Sequence, residues 1–248
     1  MRLLTPAVKV LFGKELRQLL RNRQALTTSA LLPFILQVFV PGVQLAAFTQ
    51  AAKRSAPISA SVVPGLNGET TLTVYALFLV PLFVCLSATI APGVTAVVAI
   101  VNEREGRTME LLVALPVRVT EIVTSKLAAT VVATGVVTVP LALLDGIVGM
   151  VVGHQPPVYV LLVLLVLIGG MCCSVGTAAG ISMLARDYRT AQQLNGLIVL
   201  PVGVLASTVL TLVPGVWRLL VLAVLLVAFG AILAWVVARR FSFERYLN

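Results

Sequence analysis

The chain has 248 residues, of which 59% are hydrophobic and only 11% charged, against about 25% charged in an ordinary soluble domain. A fold this apolar, with a mean hydropathy of +1.06, cannot cover its surface with polar groups, so a water-soluble globule is excluded and an all-α integral membrane protein is expected. The net charge of +9 does not point to nucleic acid, because the basic residues stand at the ends of apolar runs, where membrane proteins retain Lys and Arg on the cytoplasmic side.

Residues 1–23 predict an amphipathic helix. Leu4, Val8, Leu11, Phe12, Leu16, Leu19 and Leu20 recur at spacings of three and four, while Lys14, Arg17 and Arg21 share the other face. Such a basic helix lies in the plane of the inner interface. It is either a simple anchor or, through Lys14, Glu15, Arg17 and Arg21, a secondary docking surface for a soluble partner. The segment is too long and too charged for a secretory n-region, and the apolar run after it is long enough to span, so no cleavable signal peptide is expected.

A spanning helix needs about 20 mainly apolar residues. Charges divide the rest of the chain into six such runs, near 25–48, 72–100, 122–147, 158–184, 190–213 and 217–238. In the first run, Gln37 and Gln44 lie seven residues apart on one face, with Pro41 between them. The segment 49–71 that follows is polar and rich in turn residues, with no room for an outer domain. After the second run comes NEREGRTMELLVALPVRVTEIVTSK (102–126), the most charged stretch of the chain.

On a helix from Gly106 to Pro116, Met109, Leu112, Val113 and Pro116 fall on one face. Arg107 and Glu110 fall on the other, joined one turn earlier by Glu103, which forms a favourable i, i+4 pair with Arg107. Pro116 ends this helix or starts a new one. A plain connector needs about six residues, and this one spends many more. The segment 102–120 is therefore expected to be a cytoplasmic lever presented to a soluble partner. Leu111 and Leu115 would plug into a partner's groove, and the charges would set the register. The bland alternative is an interfacial helix that only anchors two spans.

HQPP at 154–157 marks a turn between the third and fourth runs. Gly169, Cys173, Gly176 and Gly180 give the fourth run small residues for close helix packing. Gln192, Gln193 and Asn195 open the fifth, with Ser207 and Thr211 further along. Gln37, Gln44, Gln192, Asn195, Ser207 and Thr211 are candidates for a substrate path, and equally for hydrogen bonds between helices. Pro81, Pro92 and Pro201 are candidate kinks or breaks. Six spans put both termini on one side. Fifteen of the 18 Lys and Arg then fall on that side, which makes it cytoplasmic.

The chain carries no engine of its own. It has no G-x-x-x-x-G-K-[ST] loop, no nucleophile elbow and no H-E-x-x-H. Its one His, His154, sits beside two prolines in an outer turn, as a loop residue does. Cys85, Cys172 and Cys173 are odd in number and lie within apolar runs, which fits neither a disulfide framework nor a zinc site. No catalytic, cofactor-binding or metal-binding residue is expected. Ion-coupled transport needs ionisable groups at mid-membrane. The only acid near a span is Asp145, about 28 Å along a helix from Lys126 at 1.5 Å per residue, hence near the outer interface.

At EREGRTMELLVALPV (Glu103 to Val117) the chain resembles the membrane subunit of type-2 ABC exporters, the ABC-2 permease family. That family carries a stretch like E-R-E-x-G-T-x-E-x-L-L-x-x-P-V after its second span. Glu103, Arg104, Glu105, Thr108, Glu110, Leu112, Pro116 and Val117 match it. Arg107 stands where the family has Gly, Gly106 comes one position early, and Val113 replaces the second Leu. KELRQLLRNR (14–23) resembles the family's N-terminal helix.

The resemblance implies a permease subunit of an ATP-driven exporter, with a second copy or a paralogous permease chain as its partner in the bilayer. Two cytosolic ATP-binding subunits would dock below and hold the ATP and Mg. Glu103, Arg104, Glu105, Gly106, Arg107, Glu110, Leu111, Leu112, Leu115 and Pro116 would be the coupling element. ATP turnover would rock the halves and move a drug, lipid or small peptide outward across a bacterial cytoplasmic membrane. The family often has a short re-entrant segment between its last two spans, for which Pro201 to Val213 is the only candidate. Two other classes remain open: a membrane scaffold or assembly factor that needs no ATPase, and a secondary transporter working through Asp145.

Overall fold

The computed structural model describes residues 6–21, 23–53, 70–105, 119–184 and 188–240. Among them every regular element is helical, and six helices are long and apolar enough to cross a membrane. These are Ala30–Gln50, Thr71–Ala96, Ser125–Val152, Val158–Ala178, Arg189–Leu212 and Arg218–Val236, the first to sixth spans. Helices are what lipid demands, since it offers no partner for backbone N–H and C=O groups. A separate helix, Pro6–Arg21, precedes them. Because each span reverses direction, this N-terminal helix shares one end of the bundle with Glu105, Val119 and Tyr188. His154 and Gly215 mark the far end.

The fourth span is the hub. It packs on the second, third and sixth spans and contributes Tyr159, Leu162, Val163, Val166 and Leu167 to the main core. Its contact with the sixth span is backbone against backbone. A Cβ on Gly176 would stand 2.3 Å from the Gly230 carbonyl oxygen, and one on Gly169 would stand 2.8 Å from that of Ala223. Lipid tails are as apolar as leucine, so helices in a bilayer hold together through such close packing rather than by expelling water. The first span is the least buried of the six.

Prolines shape two spans without breaking them. Ile35–Phe39 and Tyr75–Leu79 are π-helical turns, each closed by an i→i−5 bond, Val40 N–H to the Ile35 carbonyl and Val80 N–H to that of Tyr75. In both places the next residue is a proline, Pro41 or Pro81. Proline has no N–H to continue the α-helical ladder, and the widened turn re-satisfies the backbone. Pro201 lies inside an unbroken helix, Tyr188–Leu212. The stretch considered for a re-entrant segment is thus the far half of one continuous span, and a short turn at 213–217 leads into the sixth. Arg218, buried there, donates from Nη1 to the Leu210 carbonyl at 2.7 Å and from Nε to that of Gly215 at 2.8 Å. It thereby covers carbonyls that the helix end leaves open.

Candidate functional site

The N-terminal helix is docked on the start of the third span. Phe12 and Leu16 pack against Ala129 and Ala133, two small residues one turn apart. Beside them Glu15 Oε2 lies 3.3 Å from Lys126 Nζ, and both side chains are buried. Lys14 approaches the other carboxylate oxygen of Glu15 at 3.9 Å from the exposed side. Removing one partner of a buried pair like Glu15–Lys126 typically costs about 3–5 kcal/mol, because the other charge is left uncompensated. Lys14, Arg17 and Arg21 are exposed. Of the four side chains considered for a docking surface, Glu15 alone turns inward.

The helices that flank the charged stretch run up to its borders. The second-span helix ends at Glu105, so Glu103, Arg104 and Glu105 are its last residues. The third-span helix begins at Val119. Gly106, Arg107, Glu110, Leu111, Leu112, Leu115 and Pro116 lie outside the described residues.

Three groups of buried polar residues stand out among the described residues of the bundle. Gln37, presented by the first π turn, is buried and donates from Nε2 to Ser87 Oγ of the second span at 2.9 Å, while its Oε1 has no hydrogen-bond partner. Asn195 of the fifth span is buried against Gly93 of the second. A Cβ at Gly93 would stand 2.7 Å from Asn195 Oδ1 and 3.1 Å from Ser174 Oγ of the fourth span, so three spans meet there. Ser174 Oγ is buried and unpartnered. On the third span, Thr130, Thr134 and Thr138 are buried and donate to the carbonyls of Lys126, Thr130 and Thr134, each four residues earlier. Bonding back to their own helix lets hydroxyls pass through an apolar interior.

Of the six path candidates, Gln37 and Asn195 are thus buried between spans, though in separate groups. Gln44 is half-buried and Gln192 exposed. Ser207 and Thr211 are half-buried, and their hydroxyls bond to their own helix, at the Gly203 and Ser207 carbonyls. The sequence reading did not single out Ser87, Gly93 or Ser174, and it took Lys126 only as the start of the third run. The threonines at 130, 134 and 138 could have been found, because their spacing of four marks one face of a helix.

Asp145 is buried two turns from the far end of the third span, and its Oδ2 has no hydrogen-bond partner. It lies within electrostatic reach of Tyr75 and Tyr159. The Tyr159 hydroxyl donates to the Ala76 carbonyl in the second π turn, and its ring fits over Gly149, where a Cβ would come within 3 Å.

A family model described as ABC-2 family transporter protein matches residues 10–218. No match was found among curated proteins or among solved structures.

Proposed function

The chain belongs to the ABC-2 transporter family and is a permease subunit of an ABC transporter, and from that premise we propose that it is the membrane half of an exporter driven by separate ATP-binding subunits. Those subunits are the partners that family membership brings, and they supply the ATPase site that this chain lacks. The observation that carries the reading is the pair of helices that border the charged stretch. They hold the charged stretch 106–118 between Glu105 and Val119 at the end of the bundle where the N-terminal helix docks. That stretch is long, amphipathic and charged, as an element that engages a soluble partner must be.

In this reading, Glu103, Arg104, Glu105, Gly106, Arg107, Glu110, Leu111, Leu112, Leu115 and Pro116 engage the ATP-binding subunit. Lys14, Arg17 and Arg21 form a second contact on the same side. Two permease chains, identical or paralogous, and two ATP-binding subunits carrying ATP and Mg make the working unit. The N-terminal end of the bundle faces the cytoplasm of a bacterial cell, in keeping with fifteen of the 18 Lys and Arg on that side. The cargo is amphipathic or hydrophobic, a drug, lipid or small peptide. It passes by alternating access along uncharged polar groups, for which Gln37, Gln44, Gln192, Asn195, Ser207 and Thr211 are the candidates.

The test is purification of the complex from its native membrane, followed by Glu110→Lys and Leu112→Asp. The expected result is a co-purifying ATPase whose hydrolysis persists in both variants while transport is lost. A chain that purifies alone, or variants that transport normally, would sink the proposal.

A further inference from the structure

We propose that the buried Glu15–Lys126 pair is the mechanical joint that delivers movement of the 103–116 segment to the first span. The proposal rests on the reading of that segment as the coupling element and adds the route by which force leaves it.

The route is continuous in the chain. The third-span helix runs from Val119 to Val152, so whatever displaces its start carries Lys126, about two turns further along the same helix. At Lys126 the N-terminal helix is fastened by two different kinds of contact. Phe12 and Leu16 rest on Ala129 and Ala133, a shallow apolar surface on which the helix could slide at little cost, since one methyl contact replaces another. The ion pair, 3.3 Å long and buried on both sides, cannot slide. Any shift of register would pull two buried opposite charges apart in a medium of low dielectric, which is costly. A single buried polar contact is the device that sets register elsewhere, as in coiled coils. The other end of the N-terminal helix is Arg21, one residue from the helix Arg23–Phe34 that leads into the first span. That span is the least buried of the six. The N-terminal helix is thus a crossbar between the third span and the first, and Glu15 and Lys126 are positioning residues.

The test uses Glu15→Gln together with Lys126→Met. This removes both charges and keeps the side-chain volumes, so that the fold survives. With Cys172 replaced, spin labels at the exposed positions Gln18 and Ala128 report the docking of the N-terminal helix on the third span. The purified chain is expected to give one narrow distance. The neutral double variant should broaden it, and the exchanged pair, Glu15→Lys with Lys126→Glu, should narrow it again. An equally narrow distance in the neutral variant overturns the joint, whatever the partner.

In the complex with its ATP-binding subunits, labels at Gly42 of the first span and Leu161 of the fourth follow the movement of the first span. A nucleotide-driven displacement is expected in the native chain and is lost in the neutral variant although ATP hydrolysis continues. A displacement that persists overturns the route. A native chain that recruits no ATP-binding subunit refutes the function proposed above, and the Gln18–Ala128 distance still decides the joint.

Discussion

Gln37 Nε2 donates a hydrogen bond of 2.9 Å to Ser87 Oγ, tying the least buried span of the bundle to one of its most buried. The bond exists because Pro41 forces a π turn in which Gln37 stands on the buried face. Interhelical hydrogen bonds in a bilayer contribute about 0.6 kcal/mol on average, since the unfolded helices also find partners. A double-mutant cycle of Gln37→Leu and Ser87→Ala, read from unfolding in mixed micelles, should return a coupling of about that size. Gln37→Ala should cost more than Gln37→Leu, because it adds a cavity. A coupling of zero would mean that the two side chains do not meet.

Gly93→Ala should destabilise the bundle by about 1–3 kcal/mol, the usual range for overpacking, because its Cβ would stand 2.7 Å from Asn195 Oδ1. Asn195→Ala in the same chain should relieve much of that cost by removing the group in the way. Thermal unfolding of the two single variants and the double variant measures it. Strict additivity would contradict the contact.

Arg218→Lys should weaken the link between the last two spans even though the charge is kept. The guanidinium reaches two carbonyls at once, those of Leu210 and Gly215, and an ammonium lacks that fork. A loss of about 1–3 kcal/mol is expected for hydrogen bonds from a charged group. Amide exchange should rise first at 210–218, and unchanged protection there would refute the capping role.

Asp145→Asn separates two classes of transporter. An exporter driven by ATP-binding subunits should retain transport within about twofold, since the change is close to isosteric and the acid is not part of the coupling element. A secondary transporter would lose all activity, because its ion-carrying group would be gone. Transport assayed with and without ATP distinguishes the two.

Much of the architecture was legible along the chain. Charges interrupt the apolar runs at intervals that a bilayer allows. The N-terminal helix was visible in the spacing of Leu11, Phe12 and Leu16, which are half-buried. The inner faces of the spans were not visible. In a soluble protein the polar side of a helix faces water, so periodicity reveals the core. In lipid both sides are apolar, and Leu197, exposed, looks like Leu210, buried. Gln37 and Gln44 shared a face by spacing, yet only Gln37 is buried. The π turn Ile35–Phe39 contains Gln37 and shifts the phase of the helix on the way to Gln44.

By itself, then, the sequence determined the class and the number of spans, because each follows from the cost of putting charge or open backbone into hydrocarbon, a cost paid residue by residue along the chain. The meetings across spans were decided only in the tertiary structure: Glu15 with Lys126, Gln37 with Ser87, Asn195 with Gly93 and Ser174. Each joins residues far apart in sequence, where no local propensity acts. What selects them is the close fit of helix against helix, set by small residues such as Gly93, Ala129 and Gly176, and a contact of that kind has no existence until both surfaces are present.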